Sequence, residues 1–185
     1  MLEALPNFSV RKGSIASTTS LSIGVVALFV LAIGIVGAGA AQLAAQRTHQ
    51  QAALMAEAGQ LASSLAARIG ANLPLASLPD AGNPYLSLDY DAVADGPPVA
   101  AAPCFGTAAC DPLALAAFDL DETRLLVHRR FPGGRIAVCR DAAPWDAGSH
   151  RYQWACSGGA HAAVAIKIGW HGNDDLPAFV LMVAR

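Results

Sequence analysis

Residues 21 to 41, LSIGVVALFVLAIGIVGAGAA, hold no group that can be charged, and they lie inside an uncharged run that reaches from Gly13 to Gln46. As a helix rising about 1.5 Å per residue, those positions span about 31 Å, against a bilayer hydrocarbon core of roughly 30 Å. A buried core helix of this kind would need a protein large enough to surround it, and the rest of a 185-residue chain is too short. The stretch predicts a helix that crosses a membrane once.

Arg11 and Lys12 precede the run within a short tail, so the positive-inside rule puts the N-terminus in the cytoplasm. The roughly 140 residues beyond the span then lie outside the cytoplasm and amount to one domain. Cys104, Cys110, Cys139 and Cys156 read there as a disulfide set. Three N-termini stay open. A secretory cut after Ala38-Gly39-Ala40 would leave Ala41 first and release the domain. A cytoplasmic cut after Arg11-Lys12-Gly13 would leave Ser14 first and keep the helix, and an uncut chain begins at Met1. The basic pair beside a small residue favours the cut between Gly13 and Ser14.

Hydrophobic residues make up 54% of the chain, a value raised by the spanning helix and by alanine. The formal net charge is −2, and beyond Arg11-Lys12 and Arg129-Arg130 there is no basic cluster. No electrostatic footprint for nucleic acid is present.

Residues 1–20 carry a proline, a glycine and a Ser/Thr run, and read as an irregular leader. After the span the helical pattern continues, with Leu54, Ala58, Leu61, Leu65 and Ile69 forming one apolar stripe and Gln50, Glu57, Gln60, Ser64 and Arg68 on other faces. One helix from Leu21 to Ile69, ended by Gly70 and Pro74, is expected; a break at Gly37 and Gly39 is the alternative. Prolines and glycines from 73 to 103 exclude long elements there, apart from one short strand marked by Leu86, Leu88 and Tyr90. Asp111 as cap and Pro112 at the first helical position open a second helix, which Pro132-Gly133-Gly134 stops. The runs 135–140 (RIAVCR), 152–156 (YQWAC), 162–170 (AAVAIKIGW) and 178–184 (AFVLMVA) predict a four-stranded antiparallel meander, with Val164, Ile166, Ile168 and Trp170 on one face and Lys167 on the other. Its apolar face needs a cover, and the stripe supplies one. The fold class is therefore α+β, organised as a leader at 1–20, a transmembrane and amphipathic helix at 21–72, and an outer domain at 73–185.

A membrane-rooted long helix laid on a small C-terminal antiparallel sheet is the layout of type IV pilins. The chain resembles the PilV family of type IV pilus modification proteins, which are minor pilins. The residues that carry the resemblance are 31–37 (LAIGIVG) ending at Gln42, 67–72 (ARIGAN) closing the helix, and 110–120 (CDPLALAAFDL). Phe131-Pro132-Gly133-Gly134 running into Val138-Cys139-Arg140, and Cys156 ahead of 164–170, extend it. The resemblance implies a pilin-like subunit of the inner membrane with a periplasmic C-terminal domain that enters a pilus after assembly. It implies other minor pilins, the major pilin and prepilin peptidase as partners, and no cofactor. The chain departs from the pilin pattern at one position. Pilins carry a glutamate five residues into the mature chain, whereas aligning on Leu31 to Gly34 puts Ile23 there and aligning on Gly13 puts Thr18 there.

An enzyme is the contrasting class. His128, His150, His161 and His171 are scattered and read as surface residues; Asp119, Asp121 and Glu122 read as a solvated helix face; no nucleophile motif or phosphate loop is present. The cysteine gaps do not have zinc-ligand spacing. No catalytic residue and no metal site is expected. A single-pass binding or sensor protein would need a cytoplasmic output module that twenty irregular residues do not supply, whereas a type II secretion pseudopilin shares the helix and sheet. Of three possible cysteine pairings, Cys104 with Cys110 and Cys139 with Cys156 is favoured, because each pair is near in sequence. The second pair would join neighbouring strands across a hairpin turning near Ala147 and Gly148, and closing that loop contributes about 3 kcal/mol.

Overall fold

The computed structural model describes residues 16–100, 102–106, 109–159, 161–172 and 175–183. Helix α1 runs from Ala16 to Ala71 without interruption at Gly37 or Gly39. A one-turn helix α2 (Leu73–Ala76) and two 3-10 turns, Asp80–Gly82 and Pro84–Ser87, lead into strand β1 (Asp89–Asp91). Helix α3 (Pro112–Arg130) is followed by β2 (Arg135–Arg140), β3 (Trp145–Asp146), β4 (Arg151–Tyr152), β5 (Val164–Gly169) and β6 (Phe179–Val183). This is an α+β, pilin-like layout: a long apolar N-terminal helix, a small antiparallel sheet and short helices. The chain divides after Gln50 into two compact units.

In the first unit, Leu28, Phe29, Val30 and Leu31 are consecutive and between 58% and 68% exposed. Four successive residues cover every side of a helix, so this part of α1 is apolar all round and buries none of its surface in protein. It is long and apolar enough to cross a membrane. No charged group interrupts it between Gly24 and Gln46.

In the second unit, the apolar stripe faces the core. Ala58, Ala62, Leu65 and Ile69 are buried, with Leu54 and Leu61 packed at the margin. The steps of four, three and four residues keep them on one face of a helix. They meet Ile136 and Val138 of β2, Ile166 and Ile168 of β5, and Trp170 in one cluster. The strand registers explain the match: Tyr90 pairs with Ile136, Ile136 with Ile168, Val138 with Ile166, and Ile166 with Leu181. Paired residues project from the same face of a sheet, so these form one continuous apolar surface.

Asp111 caps α3 by accepting from the Ala114 N–H at 2.8 Å. Pro112 at the first position loses no hydrogen bond, since that N–H has no partner in a helix. Ala116, Leu120 and Val127 turn inward from α3. Gly133 then reverses the chain with φ +57°, and a Cβ there would lie 1.9 Å from the His171 ring. Only glycine satisfies both demands.

Two expectations are corrected. The main sheet has the order β1-β2-β5-β6, and 152–156 is not one of its strands. Only Arg151–Tyr152 is extended, and it pairs with Trp145–Asp146 as a separate two-stranded hairpin. The stretch marked by Leu86, Leu88 and Tyr90 begins as a 3-10 turn, with Asn83 accepting from the Tyr85 N–H at 3.0 Å. Pairing with β2 starts only at Asp89.

Leu65 is 1% exposed at the centre of the stripe, whereas Leu73 just past the end of α1 is 70% exposed. Leu65→Ala is expected to cost about 2–5 kcal/mol, and Leu73→Ala less than about 0.5 kcal/mol. Urea unfolding of the full chain in detergent micelles, followed by tryptophan fluorescence, measures both; equal shifts would mean that the stripe is not the packing surface.

Candidate functional site

Cys104 is bonded to Cys110 and Cys139 to Cys156. Among the described residues no cysteine is free. Contrary to the expectation from sequence, the second bridge does not join neighbouring strands, because Cys156 lies outside any strand. It ties β2 to the return arm of a flap, residues 141–159, that crosses the outer face of the sheet. Gly13 and Ser14 lie outside the described residues, as do the side chains of Thr18 and Ile23.

The flap lies over a buried charge pair. Lys167 projects from β5 on the face opposite Ile166 and Ile168, and both it and Asp141 are fully buried. Its ammonium is 2.5 Å from Asp141 Oδ2 and donates to the carbonyls of Gln153 and Ala155, each at 2.7 Å. Asp141 Oδ1 accepts from the Ser157 hydroxyl at 2.7 Å and the Ala143 N–H at 3.0 Å. Burial opposes a charged Asp141, but the ammonium and these donors outweigh it and hold the carboxyl below its ordinary range. Trp154 lies against Gly169, where a Cβ would come within 2.8 Å of its ring, and the Arg135 guanidinium sits 4.5 Å from the ring centroid.

A second polar cluster sits where α1 ends. Asn72 donates to the Pro112 carbonyl at 2.8 Å and to the Tyr85 hydroxyl at 3.1 Å, and Tyr85 donates to Asp119 Oδ2 at 2.9 Å. Arg68 bridges Asp119 Oδ1 at 3.1 Å and also pairs with Glu122. Burial pushes the Tyr85 phenol up to about 12, so it stays protonated and serves as a donor. Asp119 is 4% exposed and therefore not part of a solvated face. The sequence reading missed this because Arg68, Tyr85 and Asp119 are far apart along the chain and no local pattern joins them.

The histidines are placed separately. His128 lies 3.0 Å from the Tyr90 hydroxyl, while His150, His161 and His171 are exposed. Among the described residues, no group of three or more His, Cys, Asp or Glu is placed to hold a metal ion. An apolar groove of about 520 Å³ runs beside the end of α1, between Ile69, Leu73, Leu86 and Val183. Among the described residues that line it, no nucleophile is paired with a base. Among the described residues, Val25, Val26, Leu28, Phe29, Val30 and Leu31 are exposed large hydrophobics on consecutive turns of α1.

Asp141 generates a pH prediction. Its folded-state pKa lies below the ordinary 3.8, so its stabilisation is complete above that value and is lost as pH falls through the depressed one. The urea midpoint of the wild type should fall below about pH 4. Asp141→Asn should be less stable at pH 7 by about 3 kcal/mol, since Lys167 is left buried and unpaired, and its midpoint should change less in acid. An unchanged acid limb in the variant would remove Asp141 from this role.

Comparison of the chain with protein-family models, with curated proteins and with solved structures finds no match. The functional reading therefore rests on the residues and their geometry.

Proposed function

We propose that this chain is a minor pilin of the type IV pilus kind: a non-catalytic subunit held in the inner membrane by α1, with its sheet domain in the periplasm, that joins a fibre at its start or tip. One observation carries the reading. The same helix is apolar on every side in its first part and, after Gln50, buries a single stripe on a four-stranded antiparallel sheet. An all-round apolar helix is stable in lipid, and it is equally stable packed among similar helices, because both surroundings spare it from water. Moving from membrane to helical bundle then costs little, which is what a stored subunit needs. The resemblance to pilus modification proteins supplies the partners: other minor pilins, the major pilin and the prepilin peptidase that would cut between Gly13 and Ser14.

The missing acid bears on position in the fibre. A carboxylate buried in an apolar bundle is costly unless a neighbour neutralises it, and in pilins that neighbour is the terminal amine of an adjacent subunit. With Ile23 or Thr18 at the position, this subunit gives up one registering contact. That suits an end position better than a repeating shaft, so few copies per fibre are expected.

Mass spectrometry of the mature protein should find Ser14 first, with the apolar helix retained. A start at Ala41 would release the domain from the membrane and overturn the reading. Quantification of purified fibres should give a copy number far below that of the major subunit, and deletion of the gene should abolish initiation rather than thin the fibres. Stoichiometry near that of the major subunit would exclude an end position.

A further inference from the structure

We propose that Lys167, rather than the Cys139–Cys156 disulfide, holds the flap closed, and that it sets Cys156 beside Cys139 before the sulfurs are oxidised. The geometry brackets Cys156 on both sides with bonds that need no disulfide. The residue before it, Ala155, gives its carbonyl to Lys167 at 2.7 Å, and the residue after it, Ser157, gives its hydroxyl to Asp141 at 2.7 Å. Asp141 is two residues past Cys139 and is itself paired to Lys167 at 2.5 Å. The root and the return of the flap thus meet on one ammonium.

The flap is stitched further by backbone. Gly158 donates to the Arg140 carbonyl and Gln153 to the Pro144 carbonyl, each at 3.0 Å, and Asp141 donates to Ala163 at 3.0 Å. The ammonium donates to the Gln153 and Ala155 carbonyls, with Trp154 at a longer 3.4 Å, and forms an ion pair with the Asp141 carboxylate. Every one of those acceptors lies on the flap. Opening the flap would leave Lys167 without its protein partners, and closing it seats all of them together. The sulfur bridge adds a covalent tie to a chain already in place.

Oxidation then only captures proximity. The Cys139 and Cys156 thiols lose two protons and two electrons as their S–S bond forms, and a small or protein disulfide accepts them and becomes two thiols. Because the flap orders Cys156, the effective concentration of the two thiols is set by Lys167 and its partners. By linkage, bridge and clasp strengthen one another.

The test uses the full chain in detergent micelles. In a Cys139→Ser/Cys156→Ser double variant, hydrogen exchange at the Gln153 and Gly158 amides should stay within about threefold of the oxidised protein, since their bonds are kept. Exchange at the rate of an unprotected amide, or loss of the fold in this variant, would show that the disulfide is the clasp and overturn the proposal. Lys167→Met with all cysteines present should lower the Cys139–Cys156 effective concentration, measured by equilibration with reduced and oxidised glutathione, by about tenfold or more. An unchanged value would overturn the proposal. If circular dichroism shows that Lys167→Met has lost its sheet, Ser157→Ala decides, because it touches only the flap. It should lower the same constant about threefold or more, and an unchanged constant there also overturns the proposal.

Discussion

The sheet domain depends on the fit of one helical stripe to one face of a sheet. Ala58 and Ala62 have no exposed surface, and small side chains at the contact let the helix lie close enough for Leu65 and Ile69 to reach between Ile136, Val138, Ile166 and Ile168. Close packing is what makes the contact stabilising, because dispersion and water exclusion both fall steeply with a gap of a fraction of an ångström. Every other element is arranged around this layer. α3 closes it on one flank through Ala116, Leu120 and Val127, and Phe131 stacks on Trp170 with ring centroids 5.5 Å apart.

Two buried polar clusters fix what the apolar layer alone leaves free. An apolar contact tolerates sliding, whereas a buried hydrogen bond is costly to break and has one geometry. The Arg68, Asn72, Tyr85 and Asp119 cluster pins the end of α1 to the start of α3, through the Pro112 carbonyl. Lys167 and Asp141 do the same on the far face of the sheet. The sheet is therefore covered on both sides, by a helix on one and by irregular chain on the other. Irregular chain can be buried only where its carbonyls find donors, and Lys167 is a donor to three consecutive ones, at Gln153, Trp154 and Ala155.

The first part of α1 obeys a different rule. Its exposed apolar residues are stable only where water is absent. That divides the work between the two units: one selects the surroundings, the other keeps a fixed shape.

The sequence by itself determined the elements whose cause is local. The uncharged residues from Leu21 to Ala41 predict a helix that avoids water, and the stripe from Leu54 to Ile69 names its own buried face. Asp111-Pro112 and Pro132-Gly133-Gly134 bound α3 because capping, the missing proline N–H and a positive φ act within a few residues. Tertiary structure decided the rest. The run 152–156 alternates like a strand, but the carbonyls of Gln153 and Ala155 bind Lys167 instead of a neighbouring strand. Asp119 looks like any solvated helix acid until Tyr85 and Arg68 arrive from elsewhere in the chain. Lys167, placed by sequence on the face opposite Ile166 and Ile168, is buried because residues 153–155 fold over it. A side chain's periodicity reports which face it occupies; what comes to cover that face is set by contacts distant in sequence, and no local pattern encodes them.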